Sequence, residues 1–380
     1  MRIVFVTPYY YPELKFGGPP KRLHGLSRGL RALGHEIRVA TFNSEDANAR
    51  ALATVDTIEV QYLPWIGRGL RQLPVSWSPL QEAIDRADVV HCYGLYNLLL
   101  PLTAGLAWRR RKPFLFEPMG MYVPRVRTLF AKRLYNAIVT KPLARRAAAV
   151  VATSPLEMEE LRSLGAEVNL VVRPNGVDLA EFSSLPSVAP MRRRWGATTA
   201  EKIVLFLGRI DAKKNLRVLV NAFVDAAVPQ SRLVIAGPAS DNRYTGSLRR
   251  LIEERRACDR IYLDGPLYGE EHLAALAAAD LFVLPSINEN FGNSAAEAVA
   301  AGVPVLITET CGVAPIIDGR AGLSVSLGVE SLRDGIRAML DPQRRAAVTA
   351  KRDEVKRELS VDEAIRQTEQ LYVSIVTGAA

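Results

Sequence analysis

A strand, a loop and a helix are predicted in the stretch Leu284-Pro-Ser286-Ile-Asn-Glu289-Asn-Phe-Gly292-Asn-Ser-Ala-Ala-Glu297-Ala-Val-Ala-Ala-Gly302-Val-Pro304. The helix opens near Phe291–Gly292, and Gly302 ends it, because glycine readily adopts the left-handed conformation of a C-terminal cap. Amide groups at such a helix start attract phosphate. Glu289 and Glu297 lie beside them and suit hydrogen bonds from sugar hydroxyls. The alternative is that both carboxylates are simply solvated.

Short apolar runs alternate with helical patterns on both sides of this stretch. A first series extends from Ile3–Thr7 to Leu170–Val172, and a second from Ile203–Gly208 to Leu323–Val325. Continuous apolar runs are typical of parallel strands covered on both faces. Strands that alternate with helices indicate doubly wound α/β sheets.

The turn-rich segment from Pro174 to Pro190 separates the two series. We place the domain boundary there, with residues 1–182 in the first domain and residues 183–360 in the second. Val361–Val376 then shows apolar residues at helical spacing, so this helix is predicted to pack through one face.

The composition of the sequence and the lack of a recognisable targeting signal in it predict a cytoplasmic protein. The 380 residues include three cysteines that form no CxxC or Cys/His cluster, so a zinc site is not expected. The apolar run at the N-terminus is too short for a signal-peptide core. No stretch approaches the roughly 18 to 20 apolar residues of a membrane span.

The net positive charge of the chain comes entirely from its first half. Residues 1–180 contain 24 Lys and Arg against 15 Asp and Glu, whereas residues 181–380 contain 25 of each. A positively charged region of this kind can bind nucleic acid, an anionic membrane or a phosphorylated substrate. No RNP, helix-turn-helix, KH or zinc pattern is present. We therefore expect no nucleic-acid partner, although a basic nucleic-acid-binding protein remains the alternative from a different class.

Part of this charge lies in the segment from Tyr122 to Arg146, where cations alternate with Leu, Phe, Tyr and Ile. This pattern is typical of helices at an anionic interface. It predicts a protein that docks on the inner face of the plasma membrane. The alternative is a helix whose apolar residues pack in the protein core and whose pattern Pro142 interrupts.

A second chemical signal is the run Phe206-Leu-Gly208-Arg209-Ile-Asp-Ala-Lys213-Lys214-Asn215, where a strand meets a glycine turn. Arg209 can bind a diphosphate bidentately, and Lys214 adds a compact charge. Fixed cations stabilise the negative charge that develops on a departing diphosphate. No Asp-x-Asp motif is present, so we expect neither a metal nor another cofactor. The alternative is a pair of solvated charges at a helix start.

Two weaker signals lie near the strand ends of the first series. Gly17 and Gly18 allow close backbone approach to a ligand, although an ordinary turn explains them equally well. They do not form a GxGxxG fingerprint. His91 ends a predicted strand at the sheet edge where ligands of α/β proteins bind, and is a candidate for the substrate site.

Together these features resemble glycosyltransferase family 4, which has the GT-B architecture. The resemblance covers nearly the whole chain. It is carried by Gly17-Gly18, Gly34-His35-Glu36-Ile37, Pro174-Asn175-Gly176-Val177-Asp178, Gly208-Arg209 with Lys214-Asn215, and the Glu289 to Glu297 motif with Gly302-Val303-Pro304.

The resemblance implies a retaining transferase that moves a sugar from a nucleoside-diphosphate sugar to an acceptor hydroxyl. It implies two Rossmann-like domains facing a cleft, with the helix in 361–380 returning to the first domain. The variant around Asn290–Ser294 looks like transferases of bacterial surface polysaccharide or glycoconjugate assembly. A sugar or a lipid-linked acceptor is expected. A nucleotide-sugar epimerase or a phosphorylase of the same fold remains the alternative among enzymes.

The resemblance also implies a role for each matching residue. Glu289, Arg209 and Lys214 would be catalytic, with Glu289 on the donor sugar and the two cations on the diphosphate. The remaining donor contacts would come from Gly17 and Gly18 at the diphosphate, Asn290, Phe291, Gly292 and Asn293 through their amides, Glu297 at the ribose, and Pro266 and Leu267 beside the base.

The chain departs from relatives at one position of the sugar site. Relatives often carry a histidine after the strand that matches Pro113–Glu117, and Met119 occupies that place here. No catalytic histidine can therefore be assigned by analogy. Glu117 is a further candidate at this edge.

Overall fold

The computed structural model describes residues 1–13, 18–43, 45–46, 48, 52–67, 72–124 and 129–378. The chain divides into two compact units, Met1–Gly176 with Val361–Ala380, and Val177–Ser360. The first unit therefore ends six residues before the boundary expected at 182. The reason is that Val177 and Phe182 are buried in the hydrophobic core of the second unit.

The strands follow the alternation seen in the sequence. Those of the first unit are β1 (Arg2–Val6), β2 (Glu36–Phe42), β3 (Leu52–Val55), β4 (Ile58–Leu63), β5 (Trp65–Ile66), β6 (Leu73–Pro74), β7 (Val89–Tyr93), β8 (Phe114–Glu117), β9 (Ala149–Ala152) and β10 (Leu170–Val172). Those of the second are β11 (Lys202–Leu207), β12 (Ser231–Ala236), β13 (Ile261–Asp264), β14 (Leu281–Leu284), β15 (Val305–Thr308) and β16 (Gly322–Val325).

Helices connect these strands. They are α1 (Pro19–Ala32), α2 (Ser78–Arg86), α3 (Leu99–Arg109), α4 (Leu129–Tyr135), α5 (Lys141–Ala144), α6 (Pro155–Leu161), α7 (Ala189–Arg194), α8 (Leu216–Ala226), α9 (Asn242–Glu254), α10 (Glu270–Ala278), α11 (Asn293–Ala300), α12 (Ala314–Ile317), α13 (Val329–Leu340), α14 (Pro342–Thr349), α15 (Arg352–Glu358) and α16 (Val361–Thr377). A π-helical turn, Asn136–Thr140, joins α4 to α5.

The first unit is built on one sheet with the strand order β10-β9-β8-β7-β1-β2-β4-β3. Its strands pair in parallel except β3, which is antiparallel to β4. The chain builds outward from β1 in one direction and then returns to add β7 on the other side. The strand order therefore reverses between β1 and β7. Ligands of doubly wound sheets bind beyond the carboxyl ends of the strands at such a switch point.

The second unit repeats this plan with the order β13-β12-β11-β14-β15-β16, and all its strands pair in parallel. Its switch point lies between β11 and β14. The four residues of β14, Leu281–Leu284, are all buried, as expected for a strand covered on both faces.

The last helix, α16, belongs to the first unit, as the sequence predicts. Ile365 and Tyr372 of this helix are buried against α1 and the sheet. A Cβ atom placed on Gly29 of α1 would lie 1.9 Å from Cδ1 of Ile365. The small residue at this position therefore allows the two helices to pack closely. Within the described ranges, no helix combines the length and the apolar character that a membrane span requires.

Candidate active site

Tight glycine packing shapes the carboxyl end of β11. A Cβ atom on Gly237, which follows β12, would lie 1.9 Å from the carbonyl oxygen of Gly208. The turn after Gly208 is capped by Asp211, whose Oδ1 accepts a hydrogen bond of 2.9 Å from the amide of Lys213. These contacts fix the backbone of the turn after β11, and this turn places Lys214 at the switch point.

The loop after β14 is held from both sides by backbone hydrogen bonds. The amide of Ile287 donates to the carbonyl of Lys213 at 2.9 Å, which ties this loop to the turn after β11. The amide of Gly312 donates to the carbonyl of Glu289 at 2.9 Å, and the amide of Glu289 donates to Thr310 at 3.2 Å. Glu289 thus occupies a fixed position between two neighbouring loops.

Lys214 and Glu289 form a direct ion pair across the switch point. The Lys214 side chain is 15% exposed and the Glu289 side chain 25% exposed, so both remain accessible from one side. Arg209 differs, because its side chain is 71% exposed and its nearest carboxylate oxygen, on Asp211, is 4.0 Å away. The structure thus brings Lys214 and Glu289 together and leaves Arg209 in solvent.

The helix start predicted beside Glu289 is present. Gly292 precedes α11 with φ +107°, a conformation that favours glycine, and carries no capping side chain. A Cβ atom there would lie 3.2 Å from Cγ1 of Val313. Phe291 is buried in the core, so its side chain is not available to a ligand. Asn290 and Asn293 flank the turn and are half-buried and exposed, respectively.

Glu297 has a partner that the sequence analysis missed. Its Oε2 lies 3.1 Å from Nε2 of His272, a residue of α10. Both side chains are partly exposed. The two residues are 25 positions apart on different helices, so no local pattern joins them in the sequence.

The sequence analysis expected Pro266 and Leu267, in the loop after β13, to lie beside the nucleobase, and the structure corrects the expectation for Leu267. Pro266 is exposed, but the side chain of Leu267 is buried in the hydrophobic core of the second unit. Leu267 therefore cannot contact a ligand through its side chain. The next residue, Tyr268, is 71% exposed and is the aromatic side chain that this loop offers to solvent. The sequence analysis did not single it out.

In the first unit, Glu117 is a buried structural residue and not a group open to substrate. Its side chain is fully buried, and its carboxylate pairs with Arg173 and, at 2.5 Å, with Arg22. Two guanidinium groups thus compensate the buried charge. The sequence analysis missed this because Arg22 and Arg173 are 95 and 56 residues away.

His91 is also buried and does not line a ligand site. Its Nδ1 lies 2.6 Å from the hydroxyl of Tyr372 on α16, and its ring stacks on Tyr93. Burial holds the pKa of His91 well below its usual value, and the charges of Arg173 and Arg22 act in the same direction. His91 is therefore a neutral residue that joins the returning helix to the sheet.

Met119 follows β8 and is half-buried. It lines a cavity of about 290 Å³ at the switch point between β1 and β7. The cavity is formed by Thr7, Pro8, Tyr9, Pro19, Pro20, Leu23, Phe42, Gln72, Tyr93, Gly94, Leu95, Asn97, Met119 and Met121. Nearby, Gly18 is exposed and is the N-cap residue that precedes α1, whereas Gly17 lies outside the described residues.

Two Rossmann-like units with ligand-binding features at their switch points define the GT-B class, and comparisons with known proteins agree. The profile "Glycosyl transferase 4-like domain" matches residues 17–176, and the profile "Glycosyl transferases group 1" matches residues 188–354. A structure of HepE from Anabaena in complex with UDP superimposes with a TM-score of 0.77 at 18% identity, covering 98% of this chain and 100% of the other.

Curated relatives identify the family. The chain is 31% identical to the GDP-mannose-dependent alpha-(1-6)-phosphatidylinositol dimannoside mannosyltransferase of Mycobacterium tuberculosis, over 93% of this chain and 91% of the relative. It is 29% identical to the GDP-mannose:cellobiosyl-diphosphopolyprenol alpha-mannosyltransferase of Xanthomonas oryzae, over 93% and 89%. The chain belongs to the group 1 glycosyltransferases of the family 4 type. This assigns it to the transferases and not to the nucleic-acid-binding class.

Proposed function

We propose that this enzyme transfers a sugar from a nucleoside-diphosphate sugar to an acceptor hydroxyl and retains the anomeric configuration. The observation that carries the proposal is the Lys214–Glu289 ion pair at the switch point of the second unit, beside the start of α11. Retention itself is supported by the resemblance to family 4 and by nothing in the geometry.

Donor binding would exchange the partners of this ion pair. The phosphates would attract Lys214 and the solvated Arg209, and the start of α11 would add its positive dipole. Glu289 would then be released to accept hydrogen bonds from the sugar hydroxyls. Glu297, held by His272 at 3.1 Å, would bind the ribose hydroxyls.

These cations would also supply the positive charge that bond cleavage requires. When the bond between sugar and phosphate breaks, the negative charge grows on the diphosphate, and fixed cations stabilise it. We therefore propose that no divalent metal is needed. Activity should persist in EDTA, and strict dependence on Mn²⁺ or Mg²⁺ would contradict this part of the proposal.

The relatives suggest which donors and acceptors to try first. Two of them carry GDP-mannose in their names, and the Anabaena structure contains UDP. Their names also mention a cellobiosyl-diphosphopolyprenol and a phosphatidylinositol dimannoside. We propose a sugar or lipid-linked acceptor in bacterial surface polysaccharide or glycoconjugate assembly.

The test is a panel of nucleotide sugars, led by GDP-mannose and UDP-glucose, incubated with the protein and acceptor glycosides. Release of nucleoside diphosphate identifies the donor, and NMR of the product reports its anomeric configuration. A product with the same configuration as the donor is expected. An inverted product would contradict retention, and conversion of the nucleotide sugar without an acceptor would indicate an epimerase.

We further propose that the first unit docks on an anionic membrane surface. Phe130, Leu134 and Ile138, spaced four residues apart along α4 and the π-helical turn, are 80%, 49% and 64% exposed. They are therefore not core residues, which was the alternative for this segment. Arg133 is exposed beside them, and Arg145 is exposed after α5. Arg125 and Arg127 of the same segment lie outside the described residues.

Co-sedimentation with vesicles of anionic and of neutral lipid tests the docking surface. Binding should require anionic lipid and decrease with salt, because salt screens the attraction between cations and headgroups. Phe130→Glu should reduce binding, whereas Ile66→Glu should not, since Ile66 is 61% exposed but lies outside the basic segment. A protein that stays in the supernatant at low salt would refute docking.

A further inference from the structure

The cavity in the first unit has apolar walls, and no charged side chain occurs among the described residues that line it. Its volume of about 290 Å³ lies at the lower end of small-molecule sites, which begin at roughly 300 Å³. This suits one group the size of a single sugar. An ion there would lose its hydration without gaining a partner, which is costly. The cavity is therefore suited to a neutral ligand.

Two buried side-chain amides of the cavity each have one atom that lacks a hydrogen-bond partner among the described residues. Asn97 and Gln72 are each 7% exposed. Oδ1 of Asn97 accepts a hydrogen bond of 2.8 Å from the amide of Leu100, which sets the orientation of the Asn97 side chain. Its Nδ2 is then the donor without a partner, and Oε1 of Gln72 is an acceptor without one. Each such group costs roughly 1–3 kcal/mol while it stays unpaired.

Methyl groups gather beside the unpaired donor. A Cβ atom on Gly94 would lie 3.7 Å from Nδ2 of Asn97, 3.1 Å from Cε of Met121 and 3.7 Å from Cε of Met119. Gly94 has φ +83°, which favours glycine, and the lack of a side chain there leaves room for these three groups to pack against the backbone. The cavity thus presents one donor, one acceptor and two flexible thioether methyls that adapt to an apolar group.

We propose that this cavity binds the acetamido group of an N-acetylated acceptor sugar, an inference that rests on the glycosyl transfer proposed above. Both atoms are closed off from solvent in the structure, so each side chain would shift toward the ligand on binding. The amide oxygen of the ligand would then accept from Nδ2 of Asn97, and its amide N–H would donate to Oε1 of Gln72. The acetyl methyl would pack against Met119 and Met121. A sugar that carries only hydroxyls would offer no methyl to these side chains and would leave more of its polar groups unpaired.

Saturation-transfer NMR with the methyl glycosides of N-acetylglucosamine and of glucose tests this without any donor. The acetyl methyl should receive the strongest saturation, and the acetamido sugar should bind at least ~10-fold more tightly, as expected for one satisfied buried hydrogen bond. Equal affinity for the two glycosides would overturn the proposal.

Variants locate the contacts. Asn97→Asp keeps Oδ1 for the Leu100 amide but replaces the free donor with an acceptor, so the preference for the acetamido sugar should fall by at least ~10-fold. Gln72→Met should reduce the preference and carries the test if Asn97→Asp does not fold. Gln81→Met, on α2 and outside the cavity, is the matched control and should keep it. A preference that survives in both cavity variants would refute the assignment.

These measurements are independent of turnover. If the protein bound the acetamido sugar but cleaved no nucleotide sugar in the panel, the transfer proposal would fail and the cavity assignment would stand. If nucleotide sugars were cleaved but the acetamido preference were absent, the reverse would hold.

Discussion

The two switch points have the same topology but opposite chemistry. In the first unit, the loops after β1 and β7 contribute to a cavity without charged side chains among the described residues that line it, where two side-chain amides each have one atom without a partner. In the second, the loops after β11 and β14 present the ion pair of Lys214 and Glu289. Glu117 of the first unit is instead engaged in buried ion pairs with Arg173 and Arg22. Backbone topology therefore places the ligand, and the loop side chains decide which kind of ligand it is.

The largest effect is expected where the first unit buries its charges. Glu117→Ala would leave Arg22 and Arg173 without their carboxylate, and breaking a buried pair costs about 3–5 kcal/mol. The free energy of unfolding, measured in denaturant, should fall by that amount. If stability were unchanged while activity vanished, Glu117 would belong to the site after all.

The second effect concerns turnover. Glu289→Ala should lower kcat by about 10²–10³, as removal of one preorganised transition-state contact does, while nucleoside diphosphate affinity changes little. Glu254→Ala, an exposed residue at the end of α9, is the control and should retain activity. Near-normal turnover of the Glu289 variant would remove this residue from the site.

The third effect concerns the solvated cation. Arg209→Ala should weaken nucleoside diphosphate binding by roughly 1.5–3 kcal/mol, the range for a hydrogen bond to a charged group. The loss should shrink at high salt, because the Arg209 side chain is 71% exposed. Unchanged affinity at low salt would show that Arg209 stays in solvent when the donor binds.

The smallest effect is a pH dependence in the first unit. The buried His91 stays neutral in the folded protein, because its pKa lies well below the ordinary value. The unfolded chain takes up a proton there below about pH 6.5. Stability should therefore fall with decreasing pH in this window, by up to about 1.4 kcal/mol per pH unit from His91.

His91→Gln removes this contribution. Unfolding titrations at pH 7.5 and pH 5.5 should show a smaller acid loss in the variant than in the unaltered protein. Equal losses would mean that His91 is charged in the folded state.

Sequence reasoning recovered the fold and the ion-pair loops, but not the partners across the sheet. The alternation of apolar runs predicts the two sheets. The strand, loop and helix around Glu289 are consecutive in the sequence, so they can be predicted from local patterns. His91 and Glu117 were misplaced because each ends or follows a strand at a plausible edge. Their true partners, Tyr372 and Arg22, are 281 and 95 residues away. Only the three-dimensional fold brings such residues together.

The cavity in the first unit could not be predicted from the sequence, for a related reason. Asn97 and Gln72 lie in loops without a recognisable motif. Their significance is that each side chain is buried and has one amide atom without a hydrogen-bond partner among the described residues. Met119 was a candidate for the sugar site only because it occupies the position where relatives often carry a histidine. Only the structure shows that Met119 and Met121 pack beside Gly94 in the wall of one cavity.

Calorimetric titration with nucleoside diphosphate, run in parallel on Lys214→Ala and Asn97→Asp, tests the division between the two switch points most directly. We predict at least a ~10-fold rise in Kd for Lys214→Ala, which loses a charge-assisted contact, and an unchanged Kd for Asn97→Asp. Unchanged binding in Lys214→Ala together with lost binding in Asn97→Asp would show that the nucleotide occupies the other switch point, and would contradict the account.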